Sequence, residues 1–101
     1  MTPETEARLQ SFGIGLVTES AAVSVFVRDV CVAMVGRGAE GGLSLGSTGM
    51  MTENGLAYLV WREGRPRLAA KGSEVAAAPE QVEAIQRFSG DLRKALQLTE
   101  T

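Results

Sequence analysis

The chain of 101 residues contains no histidine and only one cysteine, Cys31. Histidine is the usual general base near neutral pH, and without it no catalytic triad that uses an imidazole can form. A lone thiol between valines cannot form an internal disulfide or make a zinc site by itself. We therefore expect no metal ion and no cofactor, and we predict that the protein occupies a reducing compartment, the cytoplasm.

The sequence also lacks a long apolar run and a strong excess of charge of either sign. Its longest apolar stretch, residues 21–35, is interrupted by Arg28 and Asp29 and is too short to cross a bilayer as a helix. The first residues are acidic and polar, unlike the basic start of a secretory signal. A net charge of −2 gives no overall attraction for nucleic acid or for an anionic membrane. We predict a soluble protein with no membrane contact.

The composition is that of a folded domain, with 45% hydrophobic and 22% charged residues. The length fits a single domain over residues 1–101. At the start of the chain, Thr2 suits an N-cap and Pro3 suits the first helical position. Leu9, Phe12 and Leu16 then recur at helical spacing. The glycines that follow Phe12 leave two possible helix ends, near residue 13 or near residue 18.

A second, longer helix is predicted at the C-terminal end. Pro79 suits its first turn, and Glu83 and Arg87 form an i,i+4 pair in the favourable order. Apolar residues recur every three or four positions along it, at Val82, Ile85, Phe88, Leu92 and Leu96. This spacing places them on one face, so we expect that face to be buried.

Six valines lie in residues 22–35, and β-branched side chains favour strands. The polar pair Arg28-Asp29 could form a two-residue turn, giving a hairpin. A single long, bent strand is the alternative. The alternating pattern favours the hairpin.

Residues 51–71 suggest three further strands. Asn54-Gly55 suits a type I′ turn, Glu63-Gly64 offers a second turn, and the six uncharged residues 56–61 lie between them. A strand that is apolar on both faces must be covered on both. Pro66 lacks an N–H group, so we place the strand over residues 66–70 at a sheet edge.

The predicted fold is α+β, with an antiparallel sheet of about five short strands in hairpins or a meander. An N-terminal helix and a longer C-terminal helix flank this sheet. Residues 36–49 contain six glycines and are predicted to form the main loop, while residues 72–80 link the sheet to the last helix. If both helices cover one face, the other needs a partner, and a homodimer is the commonest solution.

The first candidate site is the segment 36–41, which matches G-x-G-x-x-G. In a dinucleotide site this motif opens a helix, but the residues that follow here are unsuited to starting one, so we interpret the segment as a loop. Gly36, Arg37 and Gly38 remain a candidate anion site, because a guanidinium beside backbone amides can hold an anion.

The second candidate is the basic hairpin of residues 61–72. This segment contains one acidic residue, Glu63, and four basic ones: Arg62, Arg65, Arg67 and Lys71. Such a segment can bind a partner or single-stranded nucleic acid. The simpler interpretation, which we favour, is that its charges discourage edge-to-edge aggregation. Arg65 and Arg67 are expected on one face of their strand, and Pro66 and Leu68 on the other.

The third candidate combines aromatic and methionine side chains, which adaptable apolar sites often use: Tyr58, Trp61, Met50 and Met51. They equally suit a core or a dimer interface. We predict a non-enzymatic, homodimeric module that binds a protein partner or a small apolar ligand. The alternatives are an enzyme restricted to Asp, Glu, Arg, Ser or Tyr chemistry, and a weak single-stranded nucleic-acid binder that uses the basic hairpin.

Overall fold

The fold is given by a computed structural model that describes residues 2–38, 42–53 and 55–97. The elements, in chain order, are α1 (Pro3–Ser11), β1 (Gly15–Glu19), β2 (Val23–Arg28), β3 (Cys31–Arg37), β4 (Leu43–Thr52), β5 (Gly55–Arg62), β6 (Arg65–Ala70), β7 (Ser73–Ala76) and α2 (Pro79–Leu96). The predicted α+β class, with a short first helix and a longer last helix, is confirmed. The predicted number of about five strands is too low.

All seven strands form one antiparallel meander, in which each strand pairs with its neighbours in the chain. Short turns make this order simple, because antiparallel neighbours need only a hairpin connection. β5 lies between β4 and β6, so the uncharged segment 56–61 is an interior strand, as the sequence predicted.

Both helices lie on the same side of the sheet. Leu9 of α1 and the buried stripe of α2 share one core cluster with Phe26, Ala33, Val35, Met50, Ala57 and Leu68 of the strands. Arg8 of α1 also donates from Nε to the carbonyl of Ala95, 2.8 Å away, which joins the two helices. The predicted stripe of α2 is confirmed for Ile85, Phe88, Leu92 and Leu96, which are buried.

α1 begins where the sequence predicted. Of the two predicted helix ends, near residue 13 and near residue 18, the structure agrees with the earlier one. The Thr2 hydroxyl accepts a hydrogen bond from the Thr5 amide at 3.2 Å, and the helix ends at Ser11. Gly13 has φ +71°, a conformation that glycine adopts readily. The chain then turns into the edge strand β1, so the assignment of Leu16 to the helical stripe was wrong, and its side chain is exposed.

The β2–β3 hairpin is confirmed, with its turn one residue later than predicted. Arg28 pairs with Cys31, so the two loop residues are Asp29 and Val30. Asp29 takes φ +54°, which Asp tolerates better than β-branched residues do. The predicted Glu63-Gly64 turn is also confirmed: both residues have positive φ, as a type I′ turn requires. In the predicted Asn54-Gly55 turn, Asn54 lies outside the described residues, and Gly55 already pairs with Thr52.

The glycine-rich segment was wrongly predicted to be mainly a loop, because residues 43–49 belong to β4. Glycines weaken strand propensity, and that local signal was overridden by pairing with β3 and, from Gly49 onward, with β5 as well. A register shift against β3 accommodates Gly46 and Ser47. Gly49 is a position where only glycine fits: a Cβ there would lie 1.9 Å from the carbonyl oxygen of Ala57.

The strand that contains Pro66 was wrongly placed at the edge of the sheet. β6 pairs with β5 on one side and with β7 on the other, and β7 lies in the segment predicted as a linker. Gly72, with φ +81°, permits the tight β6–β7 turn. Pro66 is tolerated because it is the second residue of β6 and contributes its carbonyl, which accepts from the Ala77 amide at 3.1 Å.

Neither α1 nor α2, the two helices within residues 2–38, 42–53 and 55–97, is long and apolar enough to cross a membrane.

Candidate functional site

One surface of the sheet faces away from both helices, and we call it the open face. Alternation along the strands and the register between them place a group of apolar side chains there: Val23, Val25, Val27, Val32, Met34, Met51, Leu56, Tyr58 and Val60. No helix in the described part of the chain covers them. The open face therefore carries a group of apolar side chains that neither α1 nor α2 buries.

Burial supports this division of the two faces. Val32 is only 6% exposed, yet it is absent from the core cluster that joins the sheet to the helices. Its neighbours across the sheet are Val27 and Gly49. The open face is thus packed within itself, with half-buried side chains at its centre and the more exposed Val23 and Met51 at its rim.

A tyrosine spans the centre of the open face. The Tyr58 hydroxyl on β5 lies 3.7 Å from the sulfur of Met34 on β3, in hydrogen-bonding geometry. β4 runs between these two strands, and its residue opposite Tyr58 is Gly49. The tyrosine therefore links strands that are not direct neighbours.

Three arginines occupy one end of the open face, and we call Arg62, Arg65 and Arg67 the arginine cluster. Arg62 pairs with Arg65, and Arg67 pairs with Val60, so all three lie on the Tyr58 side of the sheet. This confirms the prediction that Arg65 and Arg67 share a face, opposite the buried Leu68.

Glu74 of β7 holds two members of the arginine cluster through one oxygen atom. Its Oε1 lies 3.2 Å from Nε of Arg62 and 3.2 Å from Nε of Arg67. Nη2 of Arg67 also donates to the Glu74 carbonyl. Among the described residues, no carboxylate lies within ion-pair distance of Arg65.

The predicted aromatic and methionine pocket is not assembled. Met50 belongs to the helix-side core, whereas Tyr58 and Met51 lie on the open face. Trp61 lies on the helix side but beyond the cover of α2, and its residue is 54% exposed. The four side chains are divided between two faces, so a ligand site built from all four has no geometric support. Partner binding by Tyr58 and Met51 stays a prediction.

The backbone of the candidate anion segment is largely engaged in hydrogen bonds within the fold. The amide of Arg37 donates to the carbonyl of Ala22, and the amide of Gly38 donates to that of Gly42, both at 2.8 Å. Gly36 pairs with strands on both sides. The next described element is β4, not a helix, and the end of the G-x-G-x-x-G match, residues 39–41, lies outside the described residues. Only the Arg37 guanidinium, beside a pocket of about 170 Å³, remains able to meet an anion.

Cys31 lines a pocket of about 260 Å³ together with Arg28 and Asp91. Burial raises the pKa of the Cys31 thiol, and the charge of Arg28 opposes that shift only in part. A thiol with a raised pKa is a weak nucleophile. Arg28 is itself engaged, since its Nη1 lies 2.7 Å from Oδ2 of Asp91 and donates to the carbonyl of Phe12. This arrangement joins the sheet to α2.

Within the three described ranges, no group of three or more cysteine, aspartate or glutamate side chains is arranged to hold a metal ion.

Sequence reasoning missed two contributors to the open face and its arginine cluster. Glu74 was assigned to a linker because the four-residue strand β7 gives almost no periodic signal. Met34 lies on the open face of β3, and nothing in the local sequence could show that Tyr58 reaches it from two strands away.

Comparison of the chain with models of known protein families, with curated proteins and with solved structures finds no match.

Proposed function

We propose that the protein is a non-enzymatic interaction module that associates through the open face of its sheet, with a second copy of the chain as the first occupant. The observation that carries this proposal is the apolar, helix-free surface built from β2 to β5. An uncovered surface of this kind marks an interaction site more often than it marks ordinary solvent contact. The proposal includes the cytoplasmic location that the single thiol predicts.

The size of the open face fits a protein occupant. The strands from β2 to β6 span about 19 Å, given the usual spacing of about 4.8 Å between neighbouring strands. This width suits a sheet or a helix of another chain, whereas a small ligand would need an enclosing cavity.

Both edges of the sheet are poor sites for association, which supports the face as the route. β1 is short, and its pairing with β2 contains an irregularity between Leu16 and Thr18. β7 has four residues, and its Glu74 is occupied by two arginines. Short, bulged or charged edges resist the addition of another strand.

The β2–β3 end of the open face suits a second copy because it has no charge. Val25, Val27, Val32 and Met34 can meet the same side chains of another copy without burying an ion. A contact around a two-fold axis needs such self-complementarity, since each patch meets its own duplicate. The arginine cluster lies at the other end, where like charges would repel.

The experiment is sedimentation velocity over a concentration series, comparing the native chain with two lysine variants. Val25→Lys introduces a charge into the proposed contact, whereas Val75→Lys introduces the same charge at a strand position that is 52% exposed on the helix side. We expect dimers for the native chain and for Val75→Lys, and monomers for Val25→Lys. Thermal unfolding of each variant checks that it is folded. A native chain that remains monomeric up to about 100 μM, a concentration at which any contact of micromolar affinity would be formed, contradicts the proposal.

A further inference from the structure

We infer that the arginine cluster, together with the apolar end of the open face beside it, binds an acidic and partly apolar segment of a partner protein. This deepens the proposed function, because it names the chemistry of a second occupant. It rests on the protein being an interaction module but not on the formation of a dimer, since the cluster lies at the opposite end of the face from Val25 and Val27.

The first support is the way in which the guanidinium groups are held. Glu74 engages Arg62 and Arg67 through their Nε atoms, and the backbone carbonyl of Glu74 takes Nη2 of Arg67. A guanidinium has five N–H donors. In the described part of the chain, both terminal nitrogens of Arg62 are therefore left for an external acceptor, and so is Nη1 of Arg67. Glu74 thus restrains two long side chains while leaving most of their donors available.

The second support is the imbalance of charge at this end of the face. Among the three arginines, Arg62 and Arg67 share the one carboxylate of Glu74, and no carboxylate pairs with Arg65 in the described structure. Glu63, in the β5–β6 turn, is next to Arg62 in sequence but forms no ion pair with it in the described structure. Lys71, in the β6–β7 turn at the far end of β6, is a further exposed positive charge but does not belong to the cluster. Carboxylates of a partner would meet these donors in charge-assisted hydrogen bonds, which arginine forms with two parallel N–H groups.

The third support is the chemistry immediately beside the cluster. Val60 lies directly opposite Arg67, and Tyr58 lies opposite Ala69, which itself pairs with Glu74. A segment crossing β5 to β7 would therefore meet apolar and cationic groups side by side. Glutamate or aspartate alternating with valine or leucine matches that surface, whereas a uniformly acidic segment would leave Val60 and Tyr58 without a partner.

A second copy of this chain is a poor occupant for this end. Centring a two-fold axis here would bring two arginine clusters together, and stacking the cluster on the β2–β3 end of another copy would bury guanidinium groups against valines. Both arrangements are costly, because a buried charge needs a partner. Charge complementarity therefore favours an acidic partner of a different sequence.

The test is fluorescence anisotropy of the full chain with labelled synthetic peptides at low and moderate salt. The probe is a ten-residue peptide of alternating glutamate and valine, and the comparisons are an alternating lysine–valine peptide, a glutamate–serine peptide and a twelve-residue oligothymidine. We expect binding of the glutamate–valine peptide that weakens as salt rises, because the charges are exposed. We expect weaker binding of the glutamate–serine peptide and none of the lysine–valine peptide.

Matched variants separate this contact from a general effect of charge. The double variant Arg62→Gln with Arg65→Gln removes two charges from the cluster, and Arg87→Gln with Lys94→Gln removes two exposed charges from α2. We expect about a five-fold loss of affinity for the first pair and less than two-fold for the second. We expect the single variant Val25→Lys to bind the peptide with the affinity of the native chain. Loss of the dimer and loss of the peptide site are then distinguishable.

Three results overturn the inference: no binding of the glutamate–valine peptide at low salt, an equal loss of affinity in both double variants, or tighter binding of oligothymidine than of that peptide. The last result assigns the cluster to nucleic acid instead.

Discussion

The hydroxyl of Tyr58 on β5 lies 3.7 Å from the sulfur of Met34 on β3, although a whole strand separates them. The two side chains lie on the face of the sheet that neither helix covers. Their contact crosses β4, where Gly49 stands opposite Tyr58. The centre of the open face is thus built from three consecutive strands, and the integrity of β4 decides whether it forms.

Substitution of Gly49 tests that dependence. In Gly49→Ala the new Cβ would lie 1.9 Å from the backbone oxygen of Ala57, so the β4–β5 pairing must shift. We expect a loss of about 3 kcal/mol in the free energy of unfolding, measured by urea titration. Gly36→Ala is the control, because its Cβ would meet only Ser44 Oγ at 3.6 Å. Equal stability of the two variants would mean that β4 and β5 are not paired as described.

A glycine in α2 should act in the opposite direction. Gly90 lies inside the helix, and a Cβ built there meets no atom within 4 Å. Gly90→Ala removes the backbone entropy that glycine loses on folding, so we expect a gain of about 0.5–1 kcal/mol in the free energy of unfolding. A destabilised Gly90→Ala variant would show that another chain or another part of this one packs against that position.

The ion pair between Arg28 and Asp91 is expected to stabilise the contact between the sheet and α2. Both side chains are about four-fifths buried, with exposed fractions of 20% and 22%, and Arg28 also lies 5.5 Å from the centre of the Phe88 ring. Asp91→Asn should cost about 1 kcal/mol in urea titration. Glu83→Gln, which removes the exposed i,i+4 partner of Arg87, should cost only a few tenths. Equal losses in the free energy of unfolding for the two variants would mean that the Arg28–Asp91 pair is exposed to solvent.

The pKa of Cys31 predicts a loss of stability in alkali. Burial raises the thiol pKa in the folded state, so above the usual cysteine pKa of about 8.5 the folded chain holds a proton that the unfolded chain releases. Stability from this group is complete below that pH and falls as pH rises towards the folded-state pKa. We expect the native chain to lose stability relative to Cys31→Ala as pH rises above about 8.5. Parallel pH profiles for the two proteins would contradict the burial of the thiol.

Local sequence patterns predicted those elements that are marked by capping residues, by helical spacing or by turn residues. Thr2 and Pro3 began α1, the spacing of Ile85, Phe88 and Leu92 defined α2, and Glu63-Gly64 supplied a turn. β1, β4 and β7 were missed or shortened because their strand character comes from neighbouring strands. Two of them are edge strands, and β4 carries two glycines.

The candidate site was predicted in its parts but not in its assembly. Arginine alternation along β6 placed Arg65 and Arg67 on one face. The register that sets Val60 beside Arg67, and the β7 strand that brings Glu74 to both Arg62 and Arg67, are properties of the whole sheet. The same register separates Met50 from Tyr58, which the sequence had grouped together.

The most direct test of the open face as an interaction surface is the methyl NMR spectrum of the methionines on dilution. Met34 lies on the open face beside Tyr58, whereas Met50 is buried in the helix-side core. We predict that the Met34 methyl resonance changes with protein concentration while that of Met50 stays constant. A Met34 resonance that is unchanged across the whole range, or a change confined to Met50, would contradict the proposed association through the open face.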